Sequence, residues 1–89
     1  EPVLSLRVTV QGLQNMNEEA FREDVAKYFA DLEPGDLFIP AQIVVYVLKN
    51  GGTNATIEVS QNGGAYQEQT NAILSGKTEQ FTLGNLVVQ

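Results

Sequence analysis

The sequence predicts an α+β sandwich: a four-stranded antiparallel sheet with two helices on one of its faces. Three observations lead there. Segments whose apolar residues alternate singly are interleaved with segments where they recur every third or fourth position. Joints rich in glycine and asparagine separate these segments. Hydrophobic residues make up 43% of the 89 residues, enough for one core, and no second set of elements follows, so residues 1–89 read as a single domain.

The opening "VLSLRVTV" puts Leu4, Leu6, Val8 and Val10 on one side and Ser5, Arg7 and Thr9 on the other, the pattern of a half-buried strand. After "QGLQNMN", Asn17 is placed to cap a helix whose first turn holds Glu18 and Glu19, where the helix dipole favours negative charge. Met16 and Phe21 flank that cap as a hydrophobic staple. Phe21, Val25, Tyr28, Phe29 and Leu32 form the apolar stripe, and Pro34-Gly35 ends the helix. "DLFIPAQ" reads as a connection interrupted by Pro40. "QIVVYVLK" is apolar on both faces and reads as a strand, with "NGGT" as the hairpin turn after it. "NATIEVS" alternates again, with Ala55, Ile57 and Val59 inward. "AYQEQTNAILSG" carries a thinner helical pattern in Tyr66, Thr70, Ile73 and Leu74, stopped by Gly76. "EQFTLGNLVVQ" closes the chain as a strand, with Gly84 marking a bulge. Strand, helix, strand, strand, helix, strand is the order of the ferredoxin-like split βαβ plan.

Composition excludes much. The chain has no cysteine and no histidine, so disulfides, thiolate metal sites, imidazole ligands and the usual general base are all absent. Five basic against eleven acidic residues give a net charge of −6, contrary to what a phosphate-backbone partner requires. An RNA-recognition module of this plan would also need aromatics on its central strands. Only Arg7 and Arg22 could serve a phosphate-cradling loop of the acylphosphatase kind, and no such loop lies between them. No run approaches the length of a membrane span, no leader pattern opens the chain, and the start at Glu1-Pro2 reads as an excised domain or processed product. No cofactor is expected.

Four groups of residues are candidates for chemistry or contact. Asp31, Glu33 and Asp36 cluster where the first helix ends and are weak candidates for calcium, which wants several oxygens from one loop; a solvated helix terminus is the plainer reading. Asn54-Ala55-Thr56 meets the N-glycosylation pattern. In the two-sided strand, Val44, Tyr46 and Leu48 cannot all face the helices if Ile43, Val45 and Val47 do, so part of that row is a candidate interface. Gly52-Thr53 pairs a hydroxyl with a preceding carbonyl at a turn.

The order of elements, the acidic cysteine-free composition, the opening "LSLRVTVQGLQN" and the ending "FTLGNLVV" resemble SEA domains and related ferredoxin-like modules beside the membrane in mucins, receptors and some cadherins. The resemblance spans almost the whole chain in pattern. It implies an extracellular, membrane-proximal module with a structural or protein-interaction role and no catalysis. Its partner would be protein, either a copy of itself or a neighbouring domain, with the membrane reached only through the parent chain and no nucleic acid or small-molecule substrate. SEA domains cleave themselves at a strained Gly-Ser turn, matched here by Gly52-Thr53. Asn54 and Ala55 follow in place of the family's bulky β-branched run, and the second glycine relieves strain, so the expectation is an intact turn. The alternative reading is a cytosolic or bacterial assembly or regulatory domain.

Overall fold

The computed structural model describes residues 2–76 and 78–89. Strand β1 (Val3–Gln11) runs through the middle of the sheet. Its alternation is realised as expected: Leu4, Leu6, Val8 and Val10 are buried, while Ser5, Arg7 and Thr9 lie on the opposite face. Gly12, in the left-handed region at φ 79°, starts a single 3-10 turn that leads to helix α1 (Glu18–Asp31). The Asn17 side chain accepts the Ala20 N–H at 3.1 Å, which caps the helix. Met16 and Phe21 both enter the core as the staple requires.

The next segment overturns the sequence reading. After a two-residue strand β2 (Leu37–Phe38), Pro40–Lys49 is helix α2 and not a strand. Pro40 occupies the first turn, where its fixed φ suits a helix and its missing N–H is no loss. Pro40, Ile43 and Val47, at helical spacing, are the residues buried. Because the run is apolar on every side, its period does not distinguish strand from helix; tertiary contact decides. Tyr46 stacks edge-on against Tyr28 of α1 at 6.0 Å, and Tyr28 also meets Phe38 at 6.1 Å.

"NGG" is correspondingly the end of a helix and not a hairpin. The Gly52 N–H donates to Val47 O at 2.9 Å and the Gly51 N–H to Leu48 O at 3.3 Å, with Gly51 at φ 109°. This nested pair is a Schellman closure. Strand β3 (Asn54–Gln61) follows and pairs antiparallel with β1 from Leu4↔Gln61 to Gln11↔Asn54.

The second helix expected over "AYQEQTNAILSG" is absent. That segment holds two-residue strands β4 (Gln67–Glu68) and β5 (Ile73–Leu74). β4 pairs with β3, and β5 pairs with β2 in a separate two-stranded sheet. Four residues at helical spacing were too few to outweigh other bonds: the Tyr66 ring lies over Arg7 and Ile73 pairs with Phe38.

Strand β6 (Thr82–Val88) lies beside β1 and runs parallel to it, giving a sheet order β4-β3-β1-β6. The sheet is therefore mixed. The fold is α+β, but the two helices follow one another between β1 and β3, and neither the antiparallel sheet nor the βαββαβ order of the ferredoxin-like plan is present. Alternation with period two looks the same in a parallel and an antiparallel strand, so the sequence pattern left the direction of β6 open. The bulge at Gly84 is present: between Leu4↔Leu83 and Leu6↔Leu86 the β6 strand carries one extra residue. A side chain at Gly84 would meet Ser5 Oγ at 2.6 Å. Both helices pack with β1 and β3 into one core; the other face of the sheet carries Ser5, Arg7 and Glu58, each partly exposed, with Tyr66 over Arg7.

Candidate interaction surfaces and the terminal strand pair

Four parts of the molecule bear on function: two notches, the outer side of α2, the open face of the sheet and the β1–β6 pair. Each is built by the elements just described.

One notch of about 220 Å³ lies between α2 and the outer edge of β3, lined by Pro40, Ala41, Val44, Ala55, Ile57 and Glu68 among others. A second, of about 270 Å³, lies between α1 and the start of β6, against Ala26, Phe29, Ala30, Phe81 and Leu83. Among the described residues, Glu68 is the single ionisable group lining either one. Acid–base chemistry by paired carboxylates needs two such groups facing one another, and neither notch supplies them.

The residues proposed as an interface are redistributed by the helix. Val44 and Tyr46 are half-buried against the core, and Leu48 is exposed. The outward stripe of α2 is Ala41, Val45 and Leu48, with Val45 and Leu48 each 49% exposed. Sequence reasoning missed Val45 because a strand would have turned it inward. Beside the small sheet, Leu37 and Leu74 are a cross-strand pair that leaves Leu74 73% exposed.

On the open face, Arg7 holds Glu58 in a two-pronged pair at 2.9 and 3.0 Å, with its guanidinium 4.6 Å from the Tyr66 ring centre. The hydrogen bond from Arg7 keeps the Glu58 carboxyl below its ordinary range and raises Arg7 in turn. Asp24 is lowered likewise, first by the Asn50 amide at 2.9 Å and then by Lys49. Burial raises the Tyr28 phenol, whose oxygen accepts the Ile39 N–H at 3.0 Å.

Asp31, Glu33 and Asp36 do not converge on a cation. Asp31 pairs with Lys27 at 2.9 Å, and Asp36 accepts the Glu33 N–H at 2.8 Å within its own turn. Among the described residues, no three such side chains are grouped to hold a metal ion. Gly52 is buried, and Thr53 Oγ1 donates to Gln11 O at 3.0 Å. That hydroxyl is engaged with the end of β1. Asn54 is exposed at the start of β3; its Oδ1 accepts the Ala55 N–H at 2.9 Å. The amide nitrogen, the atom to which a sugar would be joined, carries no hydrogen bond among the described residues.

Both sheet edges are partly closed by side chains. Asn54 caps the outward N–H of Ala55, and Arg22 Nη1 donates to the outward carbonyl of Leu86 on β6 at 2.9 Å. Side chains so placed hinder the addition of a foreign strand.

The terminal strands set the path of the chain. Thr82 N–H donates to Pro2 O at one end of the pair; at the other, Gln89 N–H donates to Val8 O at 2.9 Å and Val10 N–H to Gln89 O at 2.7 Å. The chain therefore enters β1 at one end of the sheet and leaves β6 at the other, about 20 Å away by strand rise.

No family model, curated protein or solved structure matches this chain. No helix among the described residues is long and apolar enough to cross a membrane.

Proposed function

We propose that the chain is a non-catalytic structural and protein-interaction module of a larger extracellular, membrane-proximal protein, acting as an in-line spacer. The observation that carries this reading is the parallel pairing of the first and last strands. Strands that run side by side in the same direction deliver the chain to opposite ends of the domain, as a spacer requires. An antiparallel terminal pair would return it to where it began.

Further features support the reading. Among the described residues, the two notches have no paired ionisable groups, and the net charge of −6 disfavours nucleic acid. The outward stripe of α2 offers contact to protein, whether a second copy or a neighbouring domain. The module shares with SEA domains the role expected from the sequence, and not the strand order. The extracellular placement rests on Asn54-Ala55-Thr56, whose asparagine is exposed.

The test is the intact mass of the chain secreted from a eukaryotic cell. One uncut chain, heavier by a glycan that disappears in Asn54→Gln, is expected. Fragments meeting at Gly52 and Thr53 would make the module self-cleaving and overturn the non-catalytic reading. An unmodified, uncut chain would remove the ground for placing it outside the cell and favour the cytosolic assembly alternative.

A further inference from the structure

We infer that the β1–β6 pair is a mechanical clamp, so that the domain bears tension along its own length without unfolding. The inference rests on the in-line spacer reading and adds to it a load direction and a point of failure.

The direction of load follows from strand polarity. Tension applied before β1 and after β6 pulls two adjacent parallel strands past each other, along their axes and in opposite senses. In a parallel pair the ladder hydrogen bonds are evenly spaced and slanted from one strand to the other, so this load shears the ladder, and its rungs are loaded together. Pulling the same two strands apart from one end opens the rungs one at a time. Each backbone bond contributes only about 1 kcal/mol net, so resistance depends on how many are loaded at once.

The point of failure follows from the sheet order. β1 is central and is held by β3 on its far side over the register Leu4↔Gln61 to Gln11↔Asn54. β6 is at the edge and has a strand on one side only. The weakest contact under tension is therefore β6 against β1. Several features reinforce it where a simple ladder would be thin. At the bulge, where regular pairing lapses between Leu4 and Leu6, Ser5 Oγ accepts the Asn85 N–H at 3.0 Å. Gly84 allows this approach, since any side chain there would meet Ser5 Oγ and Val3. Arg22 holds the far side of β6 through Leu86 O at 2.9 Å. At the end of the pair, Gln89 is bonded by its N–H, its carbonyl and its side-chain amide, the last to Thr9 Oγ1 at 3.2 Å.

Single-molecule stretching in two geometries tests the clamp. The absence of cysteine makes introduced thiols unambiguous handles. In the first geometry the chain is held by its two ends, which shears β1 against β6. In the second it is held at Val3→Cys and Thr82→Cys, neighbours across the pair, which peels the strands from one end. Shear should require the larger force at the same loading rate, since its rungs are loaded together and forced unfolding follows the unfolding rate. Ser5→Ala should lower the shear force while leaving the peeling force nearly unchanged. Equal forces in the two geometries, or a Ser5→Ala loss common to both, would overturn the clamp. That failure is separable from failure of the spacer reading, which depends on the separation of Val3 and Gln89 and is measured without load.

Discussion

At Gly51 the backbone turns to φ 109° and passes directly against Asn15, so that a side chain there would collide with the Asn15 carbonyl. Gly63 has a similar φ of 82° but open space around it. The two glycines separate conformational from steric demands. Gly63→Ala carries only the left-handed penalty, about 1–2 kcal/mol. Gly51→Ala adds displacement of the turn that joins the cap of α1 to the end of α2, where Asn17 N–H donates to Asn50 O at 2.8 Å. Urea unfolding of both variants should show Gly51→Ala the more destabilised by at least about 1 kcal/mol, the low end of backbone and packing penalties. Equal losses would mean that Gly51 is not packed as described. Thr53 acts at the same scale: its hydroxyl donates to Gln11 O at 3.0 Å and so ties the start of β3 to the end of β1.

Among the elements, α2 tests the fold most sharply, because the same residues read as a strand. Val45 lies on its outer side, half exposed in mid-helix. Alanine is the better helix former there by about 0.5 kcal/mol, so Val45→Ala should raise the urea midpoint slightly with the slope unchanged. In a strand the same change would lower it, since valine is the better strand former, and a lowered midpoint would contradict α2. What was legible in the sequence divides along this line. β1 and β3 declared themselves by alternation of buried and exposed residues, α1 by its cap and stripe, and the β6 bulge by Gly84. The helical period of α2 was hidden because Val44, Val45 and Leu48 fill the sides that a surface helix usually gives to polar residues, and Pro40 was read as an interruption when it was a start. The residues proposed for contact are dispersed by the helix. Leu48 is on the outward stripe, Val44 and Tyr46 are half-buried, and Val45 was missed with the helix. The acidic residues were located correctly at the end of α1, but their partners, Lys27 and the Glu33 amide, answer to local turns that spacing alone does not reveal.

The whole molecule carries a net charge of −6, and its depressed carboxyls sit where separate elements meet. Glu58 ties β3 to β1, and Asp24 ties α1 to the end of α2. A carboxyl whose folded pKa lies below its unfolded value contributes stability above the unfolded value, near pH 4, and loses it as pH falls through the folded one. The thermal midpoint should thus hold from pH 7 to about 5 and drop below about 4, with the drop softened in Asp24→Asn and Glu58→Gln. A profile identical to wild type in both variants would remove these pairs from the account. The central claim is the parallel pairing of β1 with β6, from which the in-line path and the clamp both follow. Spin labels at Val3→Cys and Gln89→Cys measure it directly. Parallel strands place these positions at opposite ends of the pair, a strand length or about 20 Å apart before label length is added, with Thr82→Cys close to Val3→Cys. If Gln89 proved to be the near neighbour of Val3 and Thr82 the distant one, β6 would be antiparallel, and both the spacer geometry and the clamp would fall.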